Sequence, residues 1–142
     1  MKLPAKVIYA CKAIAQLSIS YDSKNPVRIQ DISVAQNIPK EFLVQLLIRL
    51  KNAGIVSSSR GISGGYALAK APSKLTLAEV VRAIDDSIIT INPAGTKNNE
   101  NIDKLFHSVW KEVNRDIISK LESITFADIA AKLSSQELTY SI

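Results

Sequence analysis

The chain has 142 residues, a formal net charge of +5 at pH 7 and one cysteine, Cys11. This is the length of one domain with one hydrophobic core, and a single cysteine excludes an internal disulfide framework and indicates a reducing cytoplasm. No apolar run reaches the roughly 18 residues of a membrane span, so no membrane-spanning segment is predicted and no membrane is expected among the partners.

The charge is unevenly distributed along the chain. Residues 1–75 contain 11 Lys and Arg but three Asp and Glu, a net charge of +8, whereas residues 76–142 contain seven basic and ten acidic residues, a net charge of −3. A basic front half indicates a surface that binds a polyanion, and an acidic back half indicates a separate assembly region. The alternative at this point is a solvated basic surface without a partner.

The chain begins with a predicted helix that ends near Ser20 and is followed by a turn at residues 22–26. Pro4 suits its first position, because the missing amide hydrogen would be unpaired there. Since Lys12 interrupts the apolar stretch, we expect a helix of the mature protein rather than a signal peptide. Helical spacing predicts the inward side chains to be Val7, Ile8, Cys11, Ile14, Ala15 and Leu17.

Two short helices follow, joined by a tight turn. A short strand is predicted at residues 27–29, then a helix over residues 30–36 with Ile32 and Ala35 inward. Pro39 interrupts the pattern and opens the second helix, which Gly54 ends as a left-handed cap. Such a pair is typical of a helix-turn-helix. The second helix should bury Phe42, Leu43, Leu46, Leu47 and Leu50.

A glycine-rich hairpin comes next. Residues 55–59 and 66–69 are predicted strands, joined by residues 60–65, and a hairpin after a helix-turn-helix is the wing of a winged-helix domain. A nucleotide-binding phosphate loop is excluded, because Tyr66 stands where a Walker-type loop requires lysine and no helix follows.

The rest of the chain is mainly helical. Thr76 and Glu79 form a predicted capping box for a helix that ends at residues 85–87. Residues 88–100 are a predicted loop and residues 101–123 the longest helix. Thr125 caps a last short helix to about Leu133, followed by a loose tail at residues 134–142. The expected fold is mainly α with a small β-hairpin: a winged helix-turn-helix domain over residues 1–87 and a dimerisation helix with its capping helix over residues 101–133.

The longest helix carries an apolar stripe with helical spacing. A second copy of the same helix is its most economical partner, and folding back onto its own domain is the alternative. The predicted dimer interface consists of Ile102, Leu105, Phe106, Val109, Trp110, Val113, Ile117 and Leu121.

Three stretches resemble one known family. They are IPKEFLVQLLIRLKNAGIVSSSRGISGGYALAKAP at residues 38–72, LTLAEVVRAID at residues 75–85 and HSVWKEVNRDIISKLESITFADIA at residues 107–130. They resemble the Rrf2 family of bacterial winged-helix regulators, of the IscR, NsrR and CymR type. The resemblance implies a homodimer with crossed long helices on a pseudo-palindromic double-stranded DNA site. It also implies that the recognition helix enters the major groove and the wing the minor groove.

The side chains at the matching positions suit these roles. Gln45 can contact adenine and Glu41 can accept from cytosine, while Arg60 at the wing tip can enter a narrow minor groove. The resemblance implies that DNA is bound by Lys40, Glu41, Val44, Gln45, Arg49, Lys51, Ser58, Ser59, Arg60, Gly61, Ser63, Gly64 and Tyr66.

The chain departs from the family pattern in two places. Many members hold an iron–sulphur cluster through three cysteines before the long helix, but here that region has none, Lys104 stands at the last position, and one imidazole, His107, cannot hold a cluster. We therefore expect no cluster and no metal. Val44 replaces the usual glutamate and could contact a thymine methyl, which suggests a DNA preference that no cluster gates.

The preferred function is a cytoplasmic, cluster-free, DNA-binding transcription regulator, most simply a repressor, with an unknown effector or protein partner. The alternative is a dimeric interaction or sensor module whose DNA binding depends on a partner or effector. An enzyme is disfavoured, because the single histidine lies on the predicted dimer helix without a visible catalytic partner. Cys11 is expected to be inert packing rather than a redox site.

Overall fold

The computed structural model describes residues 2–90 and 100–140. Six α-helices and one hairpin follow each other along the described chain, in the order expected for a winged helix. They are α1 (Ala5–Ile19), α2 (Ile29–Gln36), α3 (Lys40–Asn52), β1 (Val56–Ser59), β2 (Gly65–Leu68), α4 (Leu77–Asp85), α5 (Glu100–Ser123) and α6 (Phe126–Tyr140). Short 3-10 turns lie at Tyr21–Ser23, Pro72–Lys74 and Asp86–Ile89.

The core lies where α1 meets α3, α4 and α6. Its buried side chains recur every three or four positions on each helix, because that spacing places them on one helical face. Fully or almost fully buried members include Ile14, Leu17, Ile32, Leu43, Leu47, Leu50, Leu75, Val80 and Phe126.

The turn between α2 and α3 is held by local hydrogen bonds. Asn37 adopts the left-handed conformation, with φ 52°, which asparagine tolerates better than most residues. The Ser33 hydroxyl donates to the carbonyl of Ile38 at 2.6 Å, and the Ile38 amide donates back to the carbonyl of Ser33 at 3.0 Å. This closed turn fixes the angle at which α3 leaves α2.

The end of α3 follows the glycine signal in the sequence. Gly54 has φ +76°, and the amide of Ile55 donates to the carbonyl of Leu50 at 2.9 Å, which satisfies a carbonyl that the helix leaves unpaired. The chain then turns directly into β1.

The wing is a two-stranded antiparallel hairpin in which Val56 pairs with Leu68 and Ser59 pairs with Gly65. Val27, which precedes α2, and Tyr66 of β2 exchange two backbone hydrogen bonds of 2.8 Å each. A Cβ atom on Gly65 would lie 2.5 Å from the carbonyl oxygen of Val27. Only glycine therefore permits this close approach of the segment before α2 to the base of the wing.

Two reciprocal caps begin α4 and α6. Thr76 and Glu79 form the predicted capping box of α4. Thr125 and Asp128 exchange the same pair of bonds at the start of α6, at 3.2 and 3.1 Å. The hydrogen bonds from the backbone and side chain of Thr125 lower the pKa of Asp128, because they favour the ionised carboxylate.

Several local predictions were wrong. Ile8, Ala35 and Phe42 are exposed rather than inward, since the buried stripe of each helix is narrower than the apolar pattern suggests. The ring of Phe42 instead meets that of Tyr9 edge to face, with the ring centroids 5.6 Å apart.

The predicted loop and tail also differ from the structure. The start of the loop forms the 3-10 turn that ends at Ile89, whose side chain is buried, while residues 91–99 lie outside the described residues. The tail predicted to be loose is helical as far as Tyr140. Neither glycine nor proline stands between Leu133 and Tyr140, so nothing local ends the helix at Leu133.

Candidate nucleic-acid interface

Helix α3 separates a buried face from an outward face. Its leucines enter the core, whereas Lys40, Glu41 and Gln45 are exposed and Val44 is half-buried. Gln45 lies one helical turn beyond Glu41 on the same outward face. The predicted base-reading side chains therefore share one accessible surface at the start of α3.

The wing presents small and basic residues to solvent. Ser58, Ser59, Arg60 and Ser63 are exposed, and the tip residue Ile62 is 91% exposed. Apart from Arg60 and Ile62, the exposed side chains of this hairpin are small, which permits close approach to a duplex.

A groove of about 660 Å³ lies between the wing and the first residues of α2 and α3. Three cations line it, Arg28, Lys40 and Arg60, and none of its twelve lining residues is acidic. A concave surface with cations and no carboxylate concentrates positive potential, as a phosphate backbone requires. The lining residues are Arg28, Ile29, Gln30, Lys40, Ser58, Ser59, Arg60, Gly61, Ile62, Gly64, Gly65 and Tyr66.

Thus the structure brings together seven of the predicted DNA-binding residues in one groove and adds Arg28, which the sequence reasoning missed. The guanidinium of Arg28 donates to the carbonyl of Ile62 at the wing tip. The residue was assigned to a short strand, and its charge was counted only in the total for the front half. The feature of the sequence that could have identified Arg28 is its position as a cation immediately before α2.

Arg49 and Lys51 differ from the other predicted phosphate contacts. Nη1 of Arg49 donates to the carbonyl of Ile84 at 2.8 Å, at the end of α4, where a cation also interacts favourably with the helix dipole. Nζ of Lys51 donates to the hydroxyl of Ser58 at 2.6 Å. Arg49 thus ties α3 to α4 and Lys51 ties α3 to the wing, and both residues are exposed.

Helix α5 carries the predicted dimer residues on one exposed face. The exposed fraction is 62% at Leu105, 41% at Trp110 and 37% at Val113, whereas Ile117 and Leu121 are half-buried. Leu121 packs against the core and Arg82 of α4 pairs with Glu122, so the far end of α5 is partly covered by its own domain. We call the set Ile102, Leu105, Phe106, Val109, Trp110, Val113, Ile117 and Leu121 the apolar face of α5.

The donor atoms of this chain do not fit an iron–sulphur cluster. The one cysteine lies in α1, half-buried, and burial raises the pKa of the Cys11 thiol to about 11. His107 is exposed on α5. Among the side chains that the structure describes, no three of His, Cys, Asp or Glu lie close enough together to hold a metal ion.

Residues 3–132 match the model of the Rrf2 family, which is described as an iron-dependent transcriptional regulator. The chain belongs to the Rrf2 family. It is 36% identical over 129 residues to an HTH-type transcriptional regulator of Synechocystis sp., a match that covers 91% of this chain and 87% of that protein. It is 35% identical over 130 residues to the HTH-type transcriptional regulator IscR of Photorhabdus laumondii, a match that covers 91% of this chain and 79% of that protein.

Solved structures of Rrf2-type regulators share the fold. The structure of CymR, the global cysteine regulator of B. subtilis, superposes with a TM-score of 0.79 at 25% identity and covers 93% of this chain and 98% of its own. The structure of T. potens IscR superposes with a TM-score of 0.76 at 28% identity and covers 94% of this chain and 88% of its own.

This Rrf2-family chain is a DNA-binding transcriptional regulator of the winged-helix class, and not an enzyme. None of the helices in the described residues is both long and apolar enough to cross a bilayer.

Proposed function

We propose that this Rrf2-family chain acts in the cytoplasm as a homodimeric repressor that binds a pseudo-palindromic operator without an iron–sulphur cluster. The observation that carries the proposal is that one protomer has two separate surfaces: a basic groove beside α3 that no Asp or Glu lines, and the apolar face of α5. The first suits DNA and the second suits another copy of the chain.

The occupant of the apolar face is proposed to be the same helix of a second protomer. From Ile102 to Leu121 the face extends about 28 Å, which is long for exposed apolar surface on a monomer. A twofold axis across the middle of the face brings apolar residues of both helices against each other, because a twofold interface is self-complementary. Each protomer of such a dimer then places its wing and its recognition helix on one of two adjacent half-sites.

Within each half-site, α3 is proposed to lie in the major groove, with Glu41, Val44 and Gln45 facing base edges. Lys40, Lys51 and the wing serines contact phosphates, which position the protein without reading sequence. Arg60 enters the adjacent minor groove, where a narrow A·T-rich segment has the most negative potential. Arg49 is left out of this set, because its guanidinium is bound to the carbonyl of Ile84.

The absence of a cluster is proposed from the composition of the chain. Iron–sulphur clusters of this kind need several thiolates, and the full sequence supplies one cysteine. The thiol of Cys11 is held in its protonated form by burial, which further disfavours metal binding because the thiolate is the ligand. DNA affinity should therefore be independent of iron and of oxygen.

The test is a selection of duplexes from a random pool, followed by titration of the selected site at several salt concentrations. We expect two protomers per site by sedimentation, a log affinity that falls steeply with log salt, no effect of a chelator, and no visible absorbance from iron after anaerobic purification. Selection of no site above random duplex would instead favour a module whose DNA binding depends on a partner or effector.

The role of Val44 is tested in the same assay. A carboxylate at this position would repel phosphates and accept only from suitable bases, whereas valine can contact a thymine methyl. If Val44→Glu left the ranking of selected sites unchanged, Val44 would not face the bases.

A further inference from the structure

A second cavity, of about 330 Å³, lies at the base of the wing. It is open to solvent on one side and is lined by the end of α1, the 3-10 turn that follows, the segment before α2, and β2. Its volume is at the lower end of the range for small-molecule sites. The lining residues are Leu17, Ser20, Tyr21, Asp22, Lys24, Asn25, Val27, Tyr66, Ala67 and Leu68.

The cavity combines an apolar wall with two opposite charges. Leu17 and Leu68 are buried and Val27 is half-buried, whereas Asp22 and Lys24 are exposed. Neither charged group forms an ion pair or a side-chain hydrogen bond among the residues that the structure describes. An ammonium group and a carboxylate of a bound molecule could each find a partner of opposite sign here, next to an apolar surface.

The backbone keeps the two charges on one short turn. Lys24 has φ 59°, a left-handed conformation in which lysine is uncommon and asparagine or glycine is favoured. Its amide donates to the carbonyl of Tyr21 at 3.2 Å, so the turn closes directly after Asp22. A long cationic side chain is thereby placed at the cavity despite the cost of its backbone conformation.

Tyr66 connects this cavity to the basic groove between the wing and the first residues of α2 and α3, because it lines both. Its backbone exchanges two hydrogen bonds of 2.8 Å with Val27. Val27 also lines the cavity, while the next residue, Arg28, lines the groove and binds the wing tip. A molecule that fills the cavity therefore contacts both members of the pair that fixes the wing relative to α2.

We propose that this cavity binds a free α-amino acid with an apolar side chain and that its occupancy changes the affinity for DNA. The ammonium group pairs with Asp22 and the carboxylate with Lys24, while the side chain packs against Leu17, Val27 and Leu68. The ligand acts through the Val27–Tyr66 pair on the position of the wing. The effect on DNA rests on the proposed role of the wing in DNA binding, whereas ligand binding itself does not.

The first experiment measures thermal unfolding of the full chain without DNA, in the presence of L-leucine, L-methionine or L-phenylalanine at millimolar concentration. We expect at least one of them to raise Tm progressively with concentration, as mass action requires. The analogues 4-methylpentanoate and 3-methylbutylamine, which lack the ammonium group or the carboxylate of leucine, should give smaller shifts. No shift with any of the three amino acids, or equal shifts with the analogues, overturns the proposal.

Variants locate the site. Asp22→Asn and Lys24→Asn should abolish the ligand-induced shift, and asparagine suits the left-handed backbone at position 24. Lys74→Asn, on an exposed turn that lines neither cavity, is the matched control and should keep the shift. An unchanged shift in both cavity variants would place the ligand elsewhere and overturn the assignment.

The second experiment measures DNA affinity with and without the amino acid that raises Tm. We expect a change of at least about fivefold, and by linkage the same change in ligand affinity when DNA is added. A ligand that stabilises the protein but leaves DNA affinity unchanged overturns the coupling. A protein that binds the ligand but no DNA would contradict the proposed function and leave the ligand site standing.

Discussion

The amide of Phe126 donates a hydrogen bond to the carbonyl of Leu75 across 2.9 Å, and both side chains are fully buried. The amide of Leu77 returns a bond of 2.9 Å to the carbonyl of Ile124. The junction between α5 and α6 is thus paired, strand to strand, with the segment that begins α4. This pairing joins the end of α5 directly to the start of α4.

Truncation of Phe126 should destabilise the whole chain. Phe126→Ala leaves a cavity where α6 meets the core, and we expect a loss of about 3–5 kcal/mol in the free energy of unfolding. Urea unfolding measures it, and Val34→Ala, at a side chain that is 71% exposed, should stay within about 0.5 kcal/mol of wild type. An equally small effect of Phe126→Ala would mean that α6 is not part of the cooperative core.

Arg28 should act on DNA by holding the wing. Arg28→Lys keeps the charge but cannot reproduce the guanidinium contact with the Ile62 carbonyl, and we expect DNA affinity to fall about fivefold, the equivalent of one net hydrogen bond. The free energy of unfolding should change little, because the contact is exposed. If Arg28→Lys bound like wild type while Arg28→Gln did not, charge alone would explain the residue.

Lys40 and Arg60 should affect DNA binding in different ways. Lys40→Ala is expected to weaken all sites similarly and to reduce the slope of log affinity against log salt by about 1, because one phosphate contact is lost. Arg60→Ala should weaken sites with an A·T-rich minor groove more than G·C-rich ones. Titrations on both kinds of site measure this, with Lys12→Ala, an exposed change on α1, as the control. Equal losses of affinity on both kinds of site would contradict the proposal that Arg60 lies in the minor groove.

The apolar face of α5 should decide the oligomeric state. Phe106→Glu combined with Val109→Glu should give a monomer by sedimentation, because two carboxylates cannot be buried unpaired in an interface. Affinity for a two-half-site duplex should fall about a hundredfold or more as avidity is lost, while single half-site affinity stays the same. Ser108→Glu adds a carboxylate to the same helix outside the apolar face and should stay dimeric. A dimeric double variant would contradict the proposed interface.

Cys11 should be a slow nucleophile and a pH-dependent contributor to stability. Burial raises its pKa from 9.0 to about 11, so the thiolate fraction at neutral pH is about a hundredfold lower than for a free thiol. Alkylation by iodoacetamide should be slow in the folded protein and fast in urea.

The linked effect on stability has a definite sign. The folded state disfavours the thiolate of Cys11. The contribution of the thiol to the free energy of unfolding is therefore fully present below pH 9 and is lost as the pH rises towards about 11. Cys11→Ala should therefore lose less stability across this window than wild type. Equal losses in the two proteins, by urea unfolding at each pH, would mean that the thiol is not desolvated.

The sequence alone predicted the six helices of the described chain, the hairpin and their order, because these depend on neighbours in the chain. The Thr76–Glu79 box and the left-handed Gly54 are local hydrogen-bond and backbone preferences, and both are as predicted. The spacing of α3 likewise identified most residues of the outward face. Local patterns overestimated burial at Ile8 and Phe42, because a periodic stripe does not say how wide a face its neighbours cover.

Only the tertiary structure decided which distant residues meet. Arg28 reaches Ile62 across 34 positions, and Arg49 reaches Ile84 across 35. The first contact places Arg28 in the groove, and the second gives Arg49 a partner in its own domain. Phe126 lies in the core of a domain whose end the sequence predicted at residue 87. Such contacts depend on how helices pack against each other, and no preference of a short segment encodes that geometry.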